Sequence, residues 1–208
     1  MNAAIKNHEK QTYKWLLKRE FWEYRGSFVW APAITGVIAA FFAAVAGIIA
    51  TLVRSEHGVT EVDDLAKAAQ IAGQVGDGAL LLGIGLAMVV LTFVVFFYSL
   101  GSLYNDRSDR SILLWKSLPL SDTQMVLSKL AWALLLAPVM ALAIGVLTGA
   151  AFWLITALTT TVNGIPGASG MLTHSHPFRI IGNVLLAFPV QLLWALPTVG
   201  WLMLCSAW

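Results

Sequence analysis

Charge is scarce in this 208-residue chain: 12% of residues are Asp, Glu, Lys or Arg, while 58% are hydrophobic. Soluble domains carry about twice that charged fraction, so a water-facing globule is excluded and a bilayer is the solvent that fits. The net charge of +2 gives no bulk basic field for nucleic acid. A single cysteine, Cys205, excludes an intrachain disulfide, and nothing near it in sequence has metal-ligand spacing. There is no G-x-x-x-x-G-K-[ST] phosphate loop, which excludes ATP binding of that kind. Also missing are G-x-S-x-G, H-E-x-x-H and paired intramembrane aspartates, so an intramembrane hydrolase has no support. No cleavable signal precedes the first apolar run, which is too long for a signal-peptide core.

What is present is four long stretches free of Asp, Glu, Lys, Arg and His: 28–53, 79–104, 130–158 and 180–208. Each exceeds the roughly 20 residues that cross the hydrocarbon core. The expected fold is all-α, a polytopic transmembrane helix bundle. Pro32, Pro138, Pro189 and Pro197 fall inside these stretches, and the pair in the last one predicts a kinked helix. Ten of the thirteen basic residues lie before the first stretch or between the second and third. The positive-inside rule makes those segments cytoplasmic, with the N-terminus inside. Trp30, Trp132 and Trp153 fall near span ends, as in an aromatic belt. The sequence ends within apolar residues at Trp208 with no basic anchor, and the expectation is a partial chain with later spans to follow.

Residues 1–27 form a cytoplasmic N-terminal segment, and Gln11 to Arg25 predicts an amphipathic helix on the inner membrane surface. Tyr13, Leu17, Phe21 and Tyr24 make an apolar stripe, beside Lys10, Lys14, Lys18 and Arg25. Lys14, Trp15, Lys18, Phe21, Trp22 and Arg25 are the candidate membrane-contacting residues, with ammonium groups reaching headgroup phosphates. Glu20 breaks the apolar stripe. Residues 60–72, outside, have the pattern of a short amphipathic helix with Thr60 as its cap and Val62, Leu65 and Ala69 on one face. The 159–178 segment contains the turn-forming NGIPGASG, and His174 and His176 near its end lack a third partner for a metal.

The connection 105–129, NDRSDRSILLWKSLPLSDTQMVLSK, is the most informative segment. Asp106 and Arg110 are four apart and able to pair on one helical face. Ile112, Trp115 and Leu118 follow at helical spacing beside Lys116, and Pro119 stops that short helix. Ser121-Asp-Thr-Gln124 has the form of a capping box, which starts a new helix into the third span. Two readings fit the apolar knobs equally: a plug for a groove on a cytoplasmic partner, or a loop whose tryptophan rests on the membrane. With no Asp, Glu, His, Lys or Arg in the apolar stretches, proton coupling is disfavoured while sodium coupling through backbone carbonyls stays open, and if the chain moves a solute uphill the expected source of energy is a partner.

Two segments carry a family resemblance: LLKREFWEYRGSFVWAP at 16–32 and YNDRSDRSILLWKSLPLSDTQMVLSKL at 104–130. The chain resembles permease subunits of ABC-2 type ABC transporters, whose fold is the type V exporter-like arrangement. That resemblance implies an N-terminal interfacial helix, a cytoplasmic coupling helix, and export driven by a separate ATP-binding subunit. ATP and Mg are then held by that subunit, and none by this chain, which is no enzyme itself. It further implies a second copy or a related permease as partner, and a bacterial inner (plasma) membrane location. The implied ATPase-coupling residues are Asp106, Arg107, Arg110, Ile112, Trp115, Lys116, Leu118, Pro119, Ser121 and Asp122. Many relatives carry a G-T-x-E stretch where this chain has Arg110, Ser111, Ile112 and Leu113, so a glutamate contact does not carry over. A non-transporting membrane scaffold accounts equally well for the uncharged spans. A lipid-modifying enzyme needs a clustered polar site, and the polar residues are scattered. Asn183 and Gln191, eight apart and near one helical face, either join a neighbouring helix or line a path.

Overall fold

A computed structural model describes the backbone of residues 2–57, 64–108 and 121–208, and side chains within 14–53, 64–106, 108 and 121–208. No strand occurs among the described residues. The helices are α1 (Asn2–Arg25), α2 (Ala31–His57), α3 (Leu65–Ser108), α4 (Asp122–Ala131), α5 (Ala137–Val162), α6 (Gly170–Thr173) and α7 (Pro177–Ser206). Two π-helical segments, Gly26–Trp30 and Trp132–Leu136, join α1 to α2 and α4 to α5. Four helical stretches are long and apolar enough to cross a membrane: Lys14–Val53, Leu65–Asp106, Asp122–Val162 and Pro177–Ser206. Each contains or closely matches one of the four apolar windows of the sequence.

The π segments have a cause in the sequence. Pro32 and Pro138 each lie two residues beyond a π segment, in Trp30-Ala-Pro and Leu136-Ala-Pro. A proline lacks the N–H for the bond to residue i−4, and its ring collides with that carbonyl, here of Phe28 and Leu134. Widening the preceding turn relieves the collision, and the Ala137 amide accordingly reaches back five residues to the Trp132 carbonyl. Pro189 and Pro197 do not do this: α7 stays α-helical through both.

The expected outer helix over 60–72 does not exist as a separate element. Leu65 opens α3, which runs unbroken to Ser108. Thr60 and Val62 lie outside the described residues. The cap is Asp64, whose carboxylate accepts the Lys67 amide at 3.3 Å and pairs with its ammonium at 3.1 Å. These bonds from Lys67 hold the half-exposed Asp64 carboxyl below the usual range.

The chain divides into two compact units. One comprises Met1–Ala31, Val90–Ala141 and Pro189–Trp208; the other comprises Pro32–Val89 and Leu142–Phe188. In the second unit, Leu80, Ile84 and Leu142 form a buried core, flanked by Val146, Ile181 and Val184. Close backbone approach makes this core possible. Gly83 of α3 faces Gly149 of α5, and a Cβ on Gly149 would stand 2.5 Å from the Leu80 carbonyl oxygen. Gly145 and Gly149 are four apart, the small-x-x-x-small spacing that lets membrane helices touch. α2 joins through Gly36, where a Cβ would stand 2.5 Å from Thr148 Oγ1. The Asp77 carboxylate accepts the His176 amide at 2.8 Å, and the Trp153 indole donates to Ser175 Oγ at 3.1 Å. In the 159–178 connection, Gly167 has φ +81°, and its α-carbon lies so close to Ala68 and Ala69 that no side chain fits.

Gly149→Leu is expected to force α3 from α5 and to destabilise the protein by about 1–3 kcal/mol or more. Gly200→Leu, at an open position on α7, is expected to have little effect. Thermal unfolding of both variants in the same lipid nanodisc is the measurement that compares them.

Candidate functional site

The first unit is organised around charge. Lys129, near the end of α4, is 2% exposed. Its Nζ lies 2.9 Å from Glu20 Oε1 on α1 and 3.2 Å from Asp106 Oδ2 on α3. Glu20 is 3% exposed, and its second oxygen accepts the Tyr98 hydroxyl at 2.9 Å. Arg19, half-buried, stands 3.8 Å from Asp106 Oδ1 and 3.5 Å from Glu23. The shared core is thus two carboxylates against two cations, with Glu23 at its more exposed edge. α1, α3 and α4 each contribute at least one of these charges, so the cluster ties the three helices together.

Aromatic rings seal the cluster. Phe28 and Trp132, one from each π segment, meet edge to face at 5.7 Å between centroids. Phe28 also meets Tyr98 at 5.2 Å, Tyr24 meets Tyr98 at 4.8 Å, and Phe21 meets Trp132 at 5.9 Å. These rings exclude water and lower the local dielectric, which strengthens the Lys129 attractions and raises the cost of breaking them. A groove of about 330 Å³ beside them is lined by Tyr24, Ser27, Phe93, Phe97 and Tyr98.

Several expectations are revised here. The Leu17–Phe21–Tyr24 stripe of α1 faces protein, with Phe21 on Trp132 and Tyr24 on Tyr98, and does not form the helix's lipid-facing side. Tyr13 lies outside the described side chains. Glu20, the residue that spoiled an apolar stripe, marks the face that packs inward. The opposite face exposes Trp15 and Trp22 with cations over their rings, Lys18 at 5.2 Å and Arg25 at 4.7 Å. Lys14 is exposed with them. α1 also runs without a turn through Gly26–Trp30 into α2, the residues flanking the π segment keeping right-handed helical geometry. Trp132 is 3% exposed and belongs to this ring cluster, where the sequence suggested an interfacial belt; Trp30 remains exposed.

Asp106 takes Lys129 and Arg19 as partners. Arg110 lies outside the described residues, as do Ile112, Trp115, Lys116, Leu118 and Pro119, and Arg107 is described only as part of the α3 backbone. After them the capping box appears as expected: Ser121 Oγ accepts the Gln124 amide, the Gln124 side chain accepts the Ser121 amide, both at 3.3 Å, and Asp122 fills the first turn. α3 and α4 therefore cover both ends of the 105–129 segment, leaving 109–120 between them. Among the described residues no group of three His, Cys, Asp or Glu gathers in a metal-binding cluster; His174 and His176 sit in the exposed 159–178 connection.

The α1–α3–α4 ion cluster was missed in the sequence because its members are far apart along the chain. A signal existed: Asp106 and Lys129 each sit at the edge of an apolar stretch, and Glu20 interrupts the apolar stripe of α1. Comparison with family models, curated proteins and solved structures finds no match.

Lys129→Met removes the cation shared by the Glu20 and Asp106 carboxylates, leaving buried Glu20 with only the Tyr98 hydroxyl of the contacts described above, and is expected to cost about 3–5 kcal/mol. Combining it with Glu20→Gln is expected to recover part of that loss. A double-mutant cycle on unfolding in detergent, showing coupling above about 1 kcal/mol, is the check.

Proposed function

We propose that this chain is the membrane-spanning permease subunit of an ATP-driven, ABC-2 type exporter, coupled to a separate ATP-binding subunit through the 105–129 segment. The observation that carries the reading is mechanical. The segment 109–120 is rooted at both ends in rigid structure: α3 ends in the Asp106–Lys129 contact, and α4 starts in the Ser121 capping box. A displacement imposed on that segment acts on these two fixed ends. It is passed to α3 and α4, and through Glu20 to α1.

The charge map supports the direction of this arrangement. The basic N-terminal segment and the basic 105–129 segment belong to the same side, which the positive-inside rule makes the cytoplasm of a bacterial cell. ATP and Mg are bound by the partner. Arg107, Arg110 and the Ile112–Trp115–Leu118 knobs engage it. Within the membrane, the solute path is lined by apolar and weakly polar groups, which suits an amphipathic solute. The Trp15–Lys18–Trp22–Arg25 face of α1 contacts lipid headgroups.

The test is purification of the tagged full chain from its native membrane into nanodiscs. Vanadate-sensitive ATP hydrolysis should accompany it, and Arg107→Glu with Arg110→Glu should lower that activity at least about tenfold, equivalent to ~1.4 kcal/mol of docking energy. A preparation with no ATP hydrolysis, or a charge-reversed variant with full activity, rejects the reading and leaves the scaffold as the better account.

A further inference from the structure

The groove beside the ion cluster has walls of aromatic rings. Tyr24, Phe93, Phe97 and Tyr98 line its volume of about 330 Å³, together with Ser27. Phe93 and Phe97 are four apart on α3, so they stand on adjacent turns of one face, and they are 61% and 67% exposed. The Tyr24 and Tyr98 rings meet at 88°, which makes a corner and not a flat wall. Tyr98 is buried, and its hydroxyl donates to Glu20 Oε2 at 2.9 Å. Donation to a carboxylate pushes electron density into the phenol ring and deepens the negative potential of its face.

The charges behind these rings do not cancel. Glu20, Glu23 and Asp106 supply three carboxylates, and Arg19 and Lys129 supply two cations, so the cluster keeps one negative charge in excess. The other described cations of this part of α1 turn to the opposite face, Lys18 over Trp15 and Arg25 over Trp22. An excess charge in low dielectric attracts a counter-ion strongly. The groove decides which counter-ion. Its side-chain oxygens are the hydroxyls of Ser27, Tyr24 and Tyr98, too few to replace the oxygen shell of a hard inorganic cation. Ring faces instead hold a cation that carries no tightly bound water. The position also favours an apolar body, because Phe93 and Phe97 lie inside the 79–104 apolar stretch.

We infer that the Tyr24–Phe93–Phe97–Tyr98 groove binds a lipophilic organic cation of the quaternary ammonium or phosphonium class. The volume is at the small end of small-molecule sites and takes one such cation. Its charge rests against the ring faces, Glu20 and Glu23 add attraction from behind, and its apolar substituents occupy the space of lipid tails. The chain already uses this chemistry on the other face of α1, where the Lys18 and Arg25 charges lie 5.2 and 4.7 Å from tryptophan ring centres. A lipid acyl chain is the competing occupant, and it gains nothing from the excess charge or from the ring potential. The inference rests on the groove and the cluster, not on the transporter reading. Where that reading holds as well, it names the class of solute.

The test is equilibrium binding of radiolabelled tetraphenylphosphonium to the full chain in phosphatidylcholine nanodiscs, with empty discs subtracted and no ATP present. Binding should saturate at one cation per chain. Tetraphenylborate, the same shape with the opposite charge, should bind at least about tenfold more weakly. Phe97→Leu and Phe93→Leu, at exposed positions, should each weaken cation binding about fivefold, while Phe97→Tyr should keep it. Glu23→Gln, which brings the cluster charge to zero, should narrow the gap between the two probes. Phe42→Leu, an equally exposed ring in the second unit, should change nothing. Binding no greater than in empty discs, equal affinity for both probes, full affinity in both leucine variants, or an equal loss in Phe42→Leu would each overturn the inference and leave a lipid-filled groove. Saturable cation binding without ATP hydrolysis counts against the transporter reading alone.

Discussion

One ammonium group holds the first unit together. Lys129 Nζ sits between the carboxylates of Glu20 and Asp106, on three different helices, with almost no access to solvent. Removing an ion from water costs several kcal/mol, and only tight, multiple pairing repays it. The surrounding architecture follows from that demand. Tyr98 donates to the remaining Glu20 oxygen, Arg19 comes beside the remaining Asp106 oxygen, and Phe21, Phe28 and Trp132 close over the group. The two π segments bring Phe28 and Trp132 to that position, and they arise because Pro32 and Pro138 forbid a regular turn before them.

The second unit solves a different problem by different means. It has no comparable ionic centre among the described residues, and its helices gain contact by shedding side chains. Gly83, Gly145 and Gly149 let α3 and α5 touch along their backbones, and Gly36 lets α2 reach Thr148. In lipid, where burying apolar surface gains little, such close van der Waals approach is the main source of helix association. The hydroxyls in this region are satisfied within their own helices, which keeps the contacts free of unpaired polar atoms.

Much of the fold was legible in the sequence because hydrocarbon thickness fixes the length of an apolar run, and all four windows correspond to helices. The Ser121 box was legible because capping is local chemistry over four residues. What escaped was non-local. Asp106 pairs with Lys129 and Arg19, which only folding brings close, while Arg110 lies outside the described residues. Glu20 looked like a flaw in an amphipathic stripe because that stripe was read against lipid; against protein it is the residue that fixes the packing. The separate helix over 60–72 failed because helix propagation costs little once α3 is nucleated, so no break occurs between Leu65 and the apolar window. The Gly145–Gly149 spacing was visible and identifies where helices touch, though not which partner they touch.

A single cation divided between two anions acts as a balance beam. Motion that brings Asp106 nearer to the ammonium slackens the hold on Glu20, and the reverse holds as well. The α1 helix and the root of the 105–129 connection therefore do not simply adhere to α4; they compete for it, and a gain by one is sensed by the other through the shared ammonium.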